Sequence, residues 1–225
     1  MELTFDHFRN NLNVISHVCY CCYCSLPEMG CAISGLIPKQ VMDVKEDVPI
    51  VHLTVEHKEL IKDTWKVIQE NIAKVGIIMF VGLFETHPEC KDVFFLFRDV
   101  EDLERLRYSK ELKTHGLRIM HFIEKSVARL HQTERLDQMI LDLGKGHCRY
   151  SAPPKYYMYV GAEFIRAVQP ILKDNWTPEV EEAWKTLFQY MTSIMKQGYL
   201  EEEINQRNAV ANTSRERPEK MLNVI

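Results

Sequence analysis

Leu112-Lys113-Thr114-His115-Gly116 opens one helical pattern, and Leu143-Gly144-Lys145-Gly146-His147 closes another. Leu112, Ile119, Ile123, Val127 and Leu130 recur three to four residues apart, which places His115 on the inward stripe of a helix. Leu136, Ile140 and Leu143 do the same for the second pattern, and His147 follows Leu143 by one turn. Two antiparallel helices then each carry one imidazole toward the space between them. An imidazole nitrogen is a normal axial ligand of iron in a flat macrocycle, so a haem held between His115 and His147 is the expected use of that gap.

The rest of the chain supplies a shell of helices. Thr54 has the chemistry of an N-cap, with Glu56 in the first turn suiting the helix dipole, and Ile61, Trp65, Ile68 and Ile72 form one stripe. Val75, Met79, Phe80, Leu83 and Phe84 form a second over 74–86, ended by His87-Pro88 because the residue before proline avoids helical geometry. The aromatic run Val93-Phe94-Phe95-Leu96-Phe97 is too short for a strand pair, and 99–107 reads as a short linking helix. The His115 helix is expected over 108–131 and the His147 helix over 135–148. Pro153-Pro154 restarts the chain into a helix to about residue 172 that turns Tyr157, Val160, Phe164, Ile165 and Val168 inward. The last helix has Thr177 as cap, Pro178 first and Glu179 next, and its stripe from Val180 to Met195 predicts an end near Glu203. Gly76 and Gly116 are expected to mark the point where the second helix meets the His115 helix, since glycine inside a helix is tolerated where two backbones cross closely.

These elements give an all-α domain over 54–204, a flexible extension over 1–53 and a disordered polar tail over 205–225. The formal net charge of −4 with interspersed signs offers no nucleic-acid surface. No uninterrupted run of about 18 apolar residues predicts a spanning helix. The apolar stretch 12–26 makes a poor signal peptide, with Asp6 and Glu28 at its flanks and Arg9 its only nearby base. Five of the seven cysteines, Cys19, Cys21, Cys22, Cys24 and Cys31, crowd the extension. A disulfide framework would be spread through the fold, so the cytoplasm is the expected compartment. Cys-Tyr-Cys-Cys-Tyr-Cys lacks the paired spacing of a zinc site. Cys90 and Cys148 read either as inert thiols or as a redox pair. Met29-Gly30-Cys31-Ala32-Ile33-Ser34 matches the pattern for N-myristoylation at Gly30 with S-palmitoylation at Cys31. That chemistry needs Gly30 as a free N-terminus, through initiation at Met29 or through processing.

Trp65, His87-Pro88 ahead of Phe94 and Phe97, Lys113-Thr114-His115-Gly116, and His147 followed by Pro154 together resemble the globin family, over roughly residues 53–203. The resemblance implies the globin fold, three helices over three around haem b. It implies His147 as proximal iron ligand, His115 as distal histidine, and Phe94 as the aromatic wedged on the haem face. Phe80, Phe97, Ile119, Leu143, Tyr157 and Met158 are its expected pocket contacts, and Arg118 is either a donor to a haem propionate or a solvated base. With Gly30-Cys31 ahead of the fold, the chain is most similar within the family to globin X, a six-coordinate, membrane-associated group. Its implied ligands are O2, CO and NO, with nitrite as a further substrate, and an unidentified reductase would be its electron donor. One expected role is redox work at a membrane face, as electron transfer, nitrite or nitric-oxide chemistry, or protection of lipids, with nitrite reduction or nitric-oxide dioxygenation as a side activity. The others are oxygen storage or transport with an open sixth position, and haem-based sensing.

Overall fold

The computed structural model describes residues 51–215. The extension's Cys cluster and the Gly30-Cys31 motif lie outside the described residues. Among those residues the secondary structure is helical, with no strand.

Helix α1, Val55–Ile68, starts where Thr54 accepts a hydrogen bond from the His57 amide at 3.1 Å. A 3-10 turn over Gln69–Asn71 leads into α2, Ile72–Thr86. Its inward residues Val75, Met79, Phe80, Leu83 and Phe84 are all buried, as their spacing predicts. A 3-10 turn over Pro88–Val93 and the Phe94 corner follow, then α3, Leu103–Arg107, capped by Asp102. Helix α4, Lys110–Val127, is capped by Ser109, whose hydroxyl accepts from the Leu112 amide. Helix α5 is Thr133–Arg149 and α6 is Tyr157–Leu172, entered through a 3-10 turn at Pro154–Tyr156. Helix α7, Pro178–Arg215, begins with the Val180 amide donating to Thr177 Oγ1 at 3.3 Å.

The end of α7 departs from expectation. The polar run from Gln206, read as a disordered tail, is helical to Arg215. The apolar stripe does stop, leaving Ile204 and Val210 exposed. Charge pairs one turn apart carry the helix on, Arg207 on Glu203 at 3.2 Å among them, and no glycine or proline interrupts the chain between Gly198 and Pro218.

Helix α2 packs on α4 and α6, while α7 lies along α5 and crosses α1 and α6. Trp65, Phe164, Trp184 and Phe188 fill the centre, with Phe164 5.0 Å from both Trp184 and Phe188. The buried carboxylate of Glu163 ties α6 to α2 by accepting from Thr86 at 3.0 Å and from Arg166 at 2.8 Å. The continuous stretch Val55–Thr86 is long and apolar enough to cross a membrane by length and composition. Here its apolar residues, Ile61, Ile68 and Phe80 among them, are the buried core of the helical shell.

Candidate haem site

Helix α4 buries Leu112, Gly116, Met120 and Ile123, and helix α5 buries Leu136, Ile140, Gly144 and Cys148. His115 and His147 each sit one residue to the side of such a stripe and are half-buried. Burial holds the His115 imidazole down to about 4, helped by the Arg118 guanidinium and by His147. The two rings therefore lie close enough to feel one another. Burial also lowers His147, against the opposing pull of the Leu143 carbonyl. Both imidazoles are neutral at physiological pH, the form that ligates a metal.

The tautomer of His147 follows from its partner. Its Nδ1 lies 2.9 Å from the Leu143 carbonyl oxygen. A carbonyl only accepts, so Nδ1 carries the proton and Nε2 keeps its lone pair for a ligand. Leu143, expected as an apolar contact, thus also acts through its backbone, as part of the partly buried surface next to the core.

Aromatic rings form the wall on the His115 side. Phe80 and Phe94 meet the imidazole nearly edge-on, at 4.9 and 5.2 Å between ring centres. Phe94 in turn contacts Phe80 and Phe84 at 5.6 Å each, and buried Phe97 lies behind it at 5.9 Å. Ile119, one turn beyond His115, is partly buried against the same core. On the other side Tyr157 stands edge-on to His147 at 5.3 Å and donates its hydroxyl proton to the Ala152 carbonyl at 3.2 Å. Burial raises that phenol above its ordinary range.

Two expected residues stand apart from this group. Arg118 is exposed, and what it brings to His115 is charge. Met158 is 46% exposed, with its sulfur accepting from the Thr192 hydroxyl at 3.2 Å. Successive helical residues diverge by about 100°, so the step from Tyr157 to Met158 turns the side chain away from His147. Cys90 and Cys148 are both buried free thiols, and burial pushes Cys90 up to about 11.

The donor set tests what could occupy the gap. Among the described residues no group of three or more His, Cys, Asp or Glu side chains is placed to hold a metal ion. Two neutral imidazoles on opposite sides leave a bare ion short of ligands. They suit an iron that arrives with four equatorial nitrogens of its own, and the flat phenyl surfaces of Phe94 and Phe80 suit a macrocycle. The residues present therefore fit haem.

The globin family model matches residues 79–195, more than half of the chain. Cytoglobin-2 of Danio rerio is 29% identical over 136 residues, covering 60% of this chain and 76% of that protein. Neuroglobin of Tetraodon nigroviridis is 26% identical over 147 residues, covering 65% and 92%. Among solved structures, the hexacoordinated heme protein of an anhydrobiotic tardigrade, crystallised at pH 4, matches the fold with a TM-score of 0.62 at 22% identity. That alignment covers 67% of this chain and 97% of the tardigrade chain.

Proposed function

The chain belongs to the globin family, and from that premise we propose that it is a bis-histidyl haem protein with a redox and gas-binding role. The observation that carries the reading is the pair of half-buried, neutral imidazoles, His115 on α4 against Phe80 and Phe94, and His147 on α5 with its Nδ1 on the Leu143 carbonyl. Haem b supplies an iron that binds O2, CO and NO and changes oxidation state.

His147 would hold the group through Nε2, with its ring fixed by the Leu143 carbonyl. His115 would take the opposite position and compete there with incoming gases, so the apparent gas affinity falls by the fraction of protein that is closed. That competition makes bulk oxygen storage an awkward task and favours electron transfer, because the ligand set stays the same in both oxidation states. With His115 turned aside, the bound group would be open to nitrite or nitric oxide. A reductase would return the protein to its reduced form.

Absorption spectra of the hemin-loaded protein test this. Sharp, split ferrous bands are expected, and one broad high-spin band would favour oxygen storage or transport with an open sixth position. His147→Ala is expected to lose the pigment. His115→Leu should raise the CO association rate steeply, and an unchanged rate would remove His115 from the iron.

The match of Met29-Gly30-Cys31 to a dual acylation signal supports attachment to the cytoplasmic face of a membrane, since one acyl chain alone binds marginally and a second makes the attachment stable. In a form that begins at Met29, Gly30→Ala should move the protein into the soluble fraction. Retention of that variant on membranes would count against acylation.

A further inference from the structure

Helix α5 is joined to α7 along its whole length. A Cβ placed on Gly144 would lie 2.1 Å from the Met195 carbonyl oxygen, and one on Gly198 would lie 2.2 Å from the Leu141 carbonyl oxygen. Each helix thus contributes one glycine to a contact made backbone against backbone, at two levels. Gly144 is three residues before His147, and Leu141 is two before Leu143, whose carbonyl orients the imidazole.

Side chains fasten the same face. Tyr190 donates its hydroxyl proton to Asp137 in the second turn of α5. Lys145 pairs with Glu201 at 3.2 Å, and Arg149 donates to Glu202 at 2.8 Å in the last turn. The Glu202 side chain is only 14% exposed, so that pair is partly shielded from water. Every α7 partner named falls between Tyr190 and Glu202, and the α5 partners run from Asp137 to Arg149, the stretch that carries His147.

We propose that this part of α7 is a strap that sets the height and rotation of the His147 imidazole, with Gly144 and Gly198 as positioning residues. The proposal rests on His147 being the haem ligand. A helix fastened at both ends and touching its neighbour at backbone distance cannot tilt or slide.

The test uses the full-length protein loaded with hemin. Gly198→Ala drives a methyl group into the Leu141 carbonyl, so α5 must move. Haem loss to an apomyoglobin acceptor should accelerate about 10- to 100-fold, the usual effect of removing a group that orients a metal-binding histidine. The iron–imidazole vibration should shift with it, read in the Raman spectrum of the ferrous protein carrying His115→Leu, where His147 is the one imidazole left on the iron. Glu201→Lys keeps both glycines and retains the fold if Gly198→Ala does not. It should move the same vibration in the same direction by less, and the swap Lys145→Glu with Glu201→Lys should restore it. A merely structural role for the contact would lower the unfolding midpoint and leave the vibration in place. An unmoved vibration and unchanged haem loss, with His147→Ala still colourless, would overturn the strap and leave the ligand assignment standing. Pigment retained by His147→Ala would overturn both.

Discussion

Gly76 and Gly116 meet backbone to backbone. A Cβ on either would lie 2.9 Å from the carbonyl carbon of the other, closer than real Cβ contacts come. Helices α2 and α4 therefore cross with no side chain between them, and the crossing fixes the depth of the neighbouring His115. Two effects of opposite sign compete when either glycine becomes alanine. Helix propensity alone would stabilise by roughly 0.5–1 kcal/mol. Forcing the backbones apart would cost about 1–3 kcal/mol, and the contact is too tight for the first to win. Gly76→Ala and Gly116→Ala should each lower the urea midpoint, and the double variant should cost less than the sum. A stabilised single variant would show that the crossing has slack.

The Thr64 hydroxyl is bonded on both sides in the core. It donates to the Leu60 carbonyl at 2.7 Å, with the Ile61 carbonyl at 3.2 Å, and accepts from the Trp184 indole N–H at 3.0 Å. Thr64→Val keeps the shape and strands a fully buried donor, which should cost about 1–3 kcal/mol in chemical unfolding. Thr64→Ser keeps the hydroxyl and should recover most of that loss. Equal losses in the two variants would mean that methyl packing, and not the indole bond, is what Thr64 contributes.

Acid should weaken the haem-free protein through His115. Its folded value of about 4 lies below the ordinary 6.5, chiefly because of burial, then because of Arg118 and His147. The unfolded chain thus binds the proton more tightly than the folded one. The contribution is complete above about pH 6.5 and is lost as pH falls toward about 4, with a ceiling on the order of 3 kcal/mol. His147, also lowered by burial, acts with the same sign. Urea midpoints at pH 7 and pH 4.5 should therefore drop less for His115→Gln than for the parent protein. Parallel drops would place the acid sensitivity elsewhere.

The features that were legible in the sequence are local or periodic. Thr54 and Thr177 announce helix starts because a cap is read from adjacent residues, and the stripes of α2 and α7 follow from one rotation per residue. Gly76 and Gly116 could be paired because each interrupts an otherwise regular helix next to the histidine question. Gly144 and Gly198 could not. Their partners are the backbones of Met195 and Leu141, and nothing short of docking α5 on α7 brings those together. The Leu143 carbonyl escaped notice because backbone acceptors leave no trace in residue identity. The extent of α7 was underestimated because an exposed helix held by charge pairs has no apolar period to follow. Met158 is 46% exposed beside the buried Tyr157, a difference between neighbouring residues that the resemblance did not carry.

The apolar α1–α2 stretch has a consequence during synthesis. Trp184, which takes up the Thr64 hydroxyl, stands 120 residues further along the chain. At typical translation speeds that interval lasts on the order of ten seconds. Throughout it, the apolar face of α1 lacks the α7 surface that covers it in the folded protein. Truncation ahead of α7 would leave the face of α1 that packs on it uncovered, and such a fragment is expected to be less soluble than the full chain.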